Sequence, residues 1–371
     1  MWLYQACGNL LLVNTLDDPK TFEKLDSQKL SSSIEQLSKQ CQQVWQDLED
    51  FKFPSEFGNI NHIVIAGMGG SALGARIIKS LFYDTLKVPL TIVNDYEVPA
   101  SVDENTLLVV SSYSGGTEEP LEFAQKAQER TKMILAICSG GKLAQLAKDN
   151  KWPVYQFEPK FNPSNQPRMG LGYSILSQVI LLSKLNLIEF LEEDFNDLVK
   201  LISDINLKWG KEISSGKNLA KSVAIELEGR AILVMAGEFL AGNAHTFANQ
   251  LNENGKNFAV SFQIPELNHH LLEGLKFPES NSDNLVALLI KSRFYHPKNQ
   301  ARFEITRKVM LQNNIKTVEV ELSSKDRFLQ SFELLVFGSW TSFYLAMENG
   351  LDPSPIPFVD YFKAELEKIS P

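Results

Sequence analysis

The sequence is poor in cysteine: its 371 residues hold three, Cys7, Cys41 and Cys138. An odd, sparse set without a CxxC step describes neither a disulfide scaffold nor a zinc site, and predicts ordinary free thiols in a reducing compartment. Histidine is scarce as well, and His62, His245, His269, His270 and His296 make no HExxH or comparable ligand spacing. A dense basic tract is missing: 36 Lys and Arg stand against 45 Asp and Glu, a net charge of −9, which argues against a nucleic-acid partner. No uninterrupted apolar run is long enough to span a bilayer. The apolar stretch 1–13 carries no positively charged leader and no clear small-residue cleavage site. These absences predict a cytoplasmic protein with no membrane partner. What is present is the composition of a folded chain, 44% hydrophobic and 22% charged, with enough length for two domains more comfortably than one.

Residues 27–48 place Ile34, Leu37, Cys41, Val44 and Leu48 at three- and four-residue steps, which predicts an amphipathic helix that covers a face of the body. Pro54 and Gly58 then interrupt the chain. From residue 61 the period changes. A β-branched run, 63–66, closes on Gly67-Met68-Gly69-Gly70-Ser71 and is followed by a helical pattern, 72–81. Further strands are predicted at 90–93, 107–111, 133–137 and 154–157, with helices at 118–129 and 142–148. Continuous apolar strands alternating with helices predict an α/β fold, a parallel sheet flanked by helices on both faces. Helices at 167–191 and 193–207 lead away from it. A second round follows: a helix containing 223–227, a strand over 231–237 running into Gly237, a helix at 243–254, and strands at 258–262, 285–289 and 317–322. A long apolar helix, 328–347, precedes the stiff turn Asp352-Pro353-Ser354-Pro355-Ile356-Pro357 and a short terminal helix. Two such rounds predict two similar doubly wound domains.

Two loops have the make-up of a phosphate site. In the first, Gly67 to Gly74, a strand runs through glycines into a helix, so backbone N–H groups and the helix dipole face a ligand that small residues let approach. It lacks the Gly-Lys-Ser/Thr ending of a P-loop. Gly67-x-Gly69 with Ala72 leaves a dinucleotide reading open locally, although no acidic residue closes a ribose-binding strand end about 20 residues on, and Asn94-Asp95 lies further away. A tight turn alone is the plainer reading. The second loop, Ser111 to Glu119, offers the hydroxyls of Ser112, Ser114 and Thr117 where backbone amides converge. Its plainer reading is a Ser-rich turn with Thr117 as helix cap and Glu118-Glu119 complementing the dipole, which is compatible with phosphate binding.

The strand-Gly67-x-Gly-Gly-Ser71 segment with Ser112-Tyr113-Ser114-Gly115-x-Thr117-Glu118-Glu119 resembles the sugar isomerase (SIS) domain. Together with Gln166-Pro167-Arg168, Asn252-Glu253-Asn254-Gly255-Lys256, Glu266-Leu267-Asn268-His269 and the ending Asp352-Pro353…Pro357…Phe362-Lys363, the ordered set resembles the bifunctional phosphoglucose/phosphomannose isomerase family from about residue 60 onward. The pattern along the chain and this resemblance together predict a helical lead-in over 1–55, a first SIS domain with linking helices over 56–207, a second over 208–350, and a C-terminal turn and helix over 351–371. The resemblance implies interconversion of glucose 6-phosphate or mannose 6-phosphate with fructose 6-phosphate, by a homodimer that needs no metal and no cofactor. Gly70, Ser71, Ser112, Ser114 and Thr117 then match phosphate-holding positions. Arg168 matches an arginine that steadies developing charge, and Glu253 the base that moves a proton between C2 and C1. His269 matches a ring-opening histidine delivered from the neighbouring subunit, and Lys363 a lysine at the ring oxygen or hydroxyls. Three features depart from the family pattern: Gly116 replaces an asparagine, His270-Leu271 replaces Asn-Glu, and the lead-in is longer.

Aldose-ketose exchange needs a carboxylate to carry the proton, a cation or hydrogen-bond donor for the enediolate oxygens, and a group that opens the ring; the phosphate anchors the substrate from a distance. Each proposed side chain has a plainer alternative. Glu253 on a polar helix end reads as solvated surface, Arg168 as a partner for a carboxylate, the His269-His270 doublet as weak metal-binding spacing, and Lys363 as a helix-face lysine. Another SIS-type sugar-phosphate isomerase, or a sugar-phosphate sensor that keeps the loops without turnover, are the rival readings.

Overall fold

The computed structural model describes residues 15–369, so Cys7 and the 1–13 stretch lie outside the described residues. Two parallel sheets organise the chain. The first contains β1 (His62–Ala66), β2 (Leu90–Val93), β3 (Thr106–Ser111), β4 (Ile134–Cys138) and β5 (Val154–Gln156), in the order β2-β1-β3-β4-β5. The second contains β6 (Ala231–Gly237), β7 (Ala259–Ile264), β8 (Leu285–Lys291) and β9 (Lys316–Glu321), in the order β7-β6-β8-β9. In both, the first strand in sequence pairs with the second on one side and the third on the other, so the order reverses between β1 and β3 and again between β6 and β8. Central strands β3 and β4 are buried at every position because helices cover both faces, which is why their sequences read as unbroken apolar runs. The register Ile65↔Val109 and Val110↔Ala136 aligns the carboxyl ends of β1, β3 and β4 at one rim, where ligands bind in open sheets of this kind.

The Arg327–Glu348 helix is buried on all sides from Leu329 to Met347 and packs on the Leu219–Leu227, Ala241–Glu253 and Glu192–Trp209 helices. An all-round apolar helix is stable in water only as the centre of a larger body. Each large side chain here, Phe337, Trp340, Phe343 and Tyr344 among them, is fully buried and contributes about 1.5–3 kcal/mol. The polar tips are satisfied: Trp340 Nε1 donates to Asn206 Oδ1 at 3.0 Å and Tyr344 OH to the Trp209 carbonyl at 2.6 Å.

The lead-in differs from the single helix expected over 27–48. It divides into Leu30–Glu35 and Leu37–Asp47, and the first of these starts from Lys29 in the left-handed region, φ +56°. Both segments nevertheless reach the same stretch, residues 161–172. Ser33 Oγ donates to Asn162 Oδ1 at 2.8 Å, while Gln40 Nε2 donates to the carbonyls of Phe161 and Met169 and its Oε1 accepts from Gly172 N at 3.0 Å. Further back, buried Lys221 donates to the Leu16 and Lys211 carbonyls at 2.6 and 2.8 Å and pairs with Asp17 at 3.4 Å. Lead-in contacts thus reach both halves of the chain. The helix expected over 167–191 is also broken: a short turn at Pro167–Met169 precedes a helix whose first turn, Gly172–Leu176, is π-wound. The close approach of Gln40 explains the glycine there, since a Cβ at Gly172 would stand 2.5 Å from the Gln40 Cβ. Burial pushes the Cys41 thiol up to about 12 and the Cys138 thiol to about 11, so both remain protonated and unreactive at neutral pH.

Candidate active site

Strand β1 delivers the chain to Gly67–Gly70 and the Gly70–Leu81 helix; β3 delivers it to Ser112–Thr117 and the Glu118–Ala127 helix. The two loops meet at the order reversal of the first sheet. Ser71 Oγ accepts from Tyr113 N at 3.0 Å, and Ser112 Oγ donates to Thr117 Oγ1 at 3.0 Å. Gly69 adopts φ +48° and Gly115 φ +69°, and a Cβ on Gly115 would fall 1.8 Å from the Gly140 carbonyl oxygen, so this turn admits only glycine. Ser112 is buried and Ser114 exposed, with Gly116 N donating to Ser114 Oγ at 3.3 Å. Thr117 occupies the position before the Glu118–Ala127 helix, but its side chain makes no cap hydrogen bond, because Ser112 engages the hydroxyl instead. The expected Thr117 cap is therefore corrected.

Arg168 lies against this rim: a Cβ on Gly70 would stand 3.1 Å from Arg168 Cα. The guanidinium is only 7% exposed and fully ordered by acceptors. Nε donates to Asn254 Oδ1 at 2.7 Å, Nη1 to Gln166 Oε1 at 2.7 Å, and Nη2 to the Pro353 and Ser354 carbonyls at 3.0 and 2.7 Å. Burial pulls its pKa below the ordinary arginine value, and Glu253 and Asp360 oppose that pull. Glu253 ends the Ala241–Glu253 helix of the second sheet, and its Oε2 sits 3.7 Å from Arg168 Nε with the side chain 37% exposed. A carboxylate held beside a buried cation and still open to the cleft is suited to carrying a proton.

Lys256 completes the cluster. Its residue takes φ +53°, and Nζ donates to the carbonyls of Glu253, at 2.6 Å, and Pro355. Burial and the Arg168 charge pull its ammonium down to about 8, against Glu253 and Asp352. The Asp352–Pro357 turn is thereby tied to both Arg168 and the end of the Glu253 helix. Gln166, Asn254 and Lys256 stand in the motifs of Arg168 and Glu253 but carry no role there, and that adjacency is the available signal; Ser354 stands in the stiff turn, and only the fold brings its carbonyl to Arg168.

Gly70, Ser71, Ser112, Ser114, Thr117, Arg168 and Glu253 are thus gathered at one rim. His269 and Lys363 are not. His269 is exposed in the short Leu267–His270 helix after β7, and among the described residues no hydrogen bond or ion pair joins its side chain to the cluster. Lys363 is exposed on the Pro357–Glu367 helix, which has no buried residue. It lies three positions beyond Asp360, whose charge reaches Arg168, so the helix departs from the site, and among the described residues no hydrogen bond or ion pair joins Lys363 to the cluster. Among the described residues no group of three His, Cys, Asp or Glu side chains converges as a metal cluster.

Two parallel α/β units of matching strand order, with Gly- and Ser-bearing loops at the switch point of the first, define a protein of two SIS domains. Residues 56–153 match the SIS domain, and residues 216–366 match the bacterial phospho-glucose isomerase C-terminal SIS domain. The chain belongs to the bifunctional phosphoglucose/phosphomannose isomerase family. It is 31% identical to the bifunctional phosphoglucose/phosphomannose isomerase of Caldicellulosiruptor bescii over 343 residues, covering 91% of this chain and 98% of that one. With the enzyme of the same name from Aquifex aeolicus it shares 30% identity over 307 residues, covering 82% and 90%. A solved hypothetical protein from Thermus thermophilus superposes with a TM-score of 0.69 at 15% identity, covering 94% of this chain and 92% of that one, a likeness of fold alone.

Proposed function

We propose that the protein interconverts glucose 6-phosphate and mannose 6-phosphate with fructose 6-phosphate. The observation that supports this most is the Arg168–Glu253 pair seated beside two loops suited to a phosphate. The phosphate binds at Gly70, Ser71, Ser112, Ser114 and Thr117, and its binding energy fixes the far end of the sugar. Glu253 removes the C2 proton of the open-chain aldose. The electron pair forms the C1–C2 double bond, and negative charge moves onto the O1 side, where Arg168 stabilises it. Proton transfer from O2 to O1 and return of the carried proton to C1 give the ketose. Because the enediolate is planar at C2, the reverse reaction can protonate either face, and one site then serves both epimers.

Ring opening is assigned to His269 of the partner subunit, with Lys363 closing over the sugar. The isolation of His269 from its own cluster supports that reading. So does the Pro357–Glu367 helix, which exposes Phe358, Tyr361 and Phe362 as an apolar surface that a second copy would cover. We read the protein as a cytoplasmic homodimer in which SIS domains span 56–207 and 208–350.

Proton NMR of either aldose phosphate in D2O tests the assignment. Conversion is expected with solvent deuterium entering at C1 of fructose 6-phosphate, and at C2 of the aldose re-formed by the reverse reaction. Saturable binding of both sugars without conversion would overturn it and leave a sugar-phosphate sensor.

A further inference from the structure

A second cavity lies away from this centre. It encloses about 820 Å³ where the body of the Gly70–Leu81 helix and β2 meet the turn that follows β6. The two helices that follow the first strands of the two sheets, Gly70–Leu81 and Ala241–Glu253, cross at its floor. They touch so closely that a Cβ on Gly242 would fall 2.2 Å from the Arg76 carbonyl oxygen. Each helix consequently serves two places. The first starts at the phosphate loops with Ser71 and lines the cavity further on with Arg76 and Lys79; the second lines the cavity at its start with Gly242 and His245 and ends at Glu253. The cavity borders the carboxyl end of the second sheet on its β6–β7 side, through Glu238, Phe239 and Gln263, and is closed by the Gly70–Leu81 helix and β2 of the first.

The chemistry of the wall differs from that of the first site. The turn after β6 reads Gly237-Glu238-Phe239-Leu240, with no hydroxyl and a carboxylate where a phosphate would sit. Glu238 is already committed, its Oε1 accepting from His296 N at 2.8 Å and Asn299 Nδ2 at 2.7 Å. Cations are supplied from the other side instead. Arg327 pairs with Asp84 at 2.8 Å, Arg76 Nη2 donates to Asn94 Oδ1 at 2.8 Å, and Lys79 has no ion pair or side-chain hydrogen bond among the described residues. Three cations against two carboxylates leave the wall with one net positive charge, and Lys79, unpaired among the described residues, to meet an anion. Half-buried His245 faces Arg76, burial together with that charge lowers its pKa, and its Nε2 lies 3.5 Å from Asn249 Nδ2. Asn94 and Gln263 add amide groups. The volume suits a molecule the size of a phosphorylated monosaccharide.

We propose that this interdomain cavity binds a small phosphorylated, hydroxylated metabolite as an effector site separate from the isomerase centre. Its phosphate meets Arg76, Lys79 and Arg327. The route to the first site is short: Arg76 holds Asn94, and Asn94 Nδ2 donates to the Gly67 carbonyl at 2.5 Å, at the head of the phosphate loop. A ligand that draws on Arg76 therefore competes for the side chain that steadies Asn94, and the two sites influence each other reciprocally.

Calorimetric titration of glycerol 3-phosphate into the full-length chain tests this without depending on turnover. Ser114→Glu places a carboxylate in the exposed part of the first phosphate loop, whereas Lys79→Glu and Arg327→Glu reverse charge at the exposed edge of the cavity. The Ser114→Glu protein should retain one saturable site. Adding either cavity substitution should weaken that site at least about tenfold, while each single cavity variant melts as wild type does. Loss of all binding in Ser114→Glu, or residual binding that both cavity substitutions leave unchanged, would overturn the proposal.

Discussion

Arg168 Nε and Glu253 Oε2 stand 3.7 Å apart, one side chain from the segment that follows the first sheet and the other from the last turn of a helix on the second. Neither domain alone contains the pair. Arg168 is fixed by Asn254, Gln166, Pro353 and Ser354, a set that only a planar fork of donors satisfies. Lysine would keep the charge and lose most of these bonds. Arg168→Lys is expected to lower kcat by about 10²-fold or more and to cost about 1–3 kcal/mol in stability, with little change in KM for the phosphate-anchored substrate. An effect confined to KM would contradict the role given to Arg168.

The lead-in bears on the same residue. Gln40 holds the Met169 carbonyl and Gly172 N, the backbone directly after Arg168. Gln40→Leu leaves those backbone groups buried without partners, so urea denaturation should show a loss of about 2–3 kcal/mol, and turnover should fall with it as Arg168 loses its support. Full activity in this variant would show that the lead-in is only a cover.

Much of this fold can be read in the sequence because parallel strands between two helical layers need continuous apolar runs, as at 107–111 and 231–237, and glycines must follow where loops approach one another. The rim of the first sheet is legible for the same reason. Local periodicity could not reveal the break at Gln36, the π turn at Gly172 against which Gln40 packs, or the Ser112 hydroxyl pairing that keeps Thr117 from capping its helix. Lys256 shows the limit most clearly. Its sequence neighbours mark it as part of a motif, but its role depends on Pro355, which only the folded chain brings beside it.

Lys256 also has a pH signature. Folded, its ammonium releases a proton near pH 8, against an ordinary value of 10.5. Between those limits the unfolded chain binds more protons than the folded one, so the group's contribution to stability rises with pH through that window and is least favourable below it. The stability of wild type relative to Lys256→Met, from urea midpoints, should therefore increase between pH 7 and pH 10. A difference independent of pH would contradict the shifted ionisation.

Delivery of His269 of the partner subunit can be tested by complementation. His269→Ala and Glu253→Gln are each expected to be nearly inactive alone. Denatured together and refolded as an equal mixture, half the dimers are mixed and one of their two sites is intact, which restores about a quarter of wild-type activity. If each site draws both residues from one chain, mixing restores nothing.

The central claim is that Glu253 carries the proton. Wild type and Glu253→Gln should be compared by NMR time course on glucose 6-phosphate and on mannose 6-phosphate, with binding of each sugar phosphate measured in parallel. The account predicts conversion of both sugars by wild type, and a fall of about 10²–10⁴-fold in the variant with binding preserved, because the amide keeps the shape and loses the base. Near-normal conversion by Glu253→Gln would contradict it.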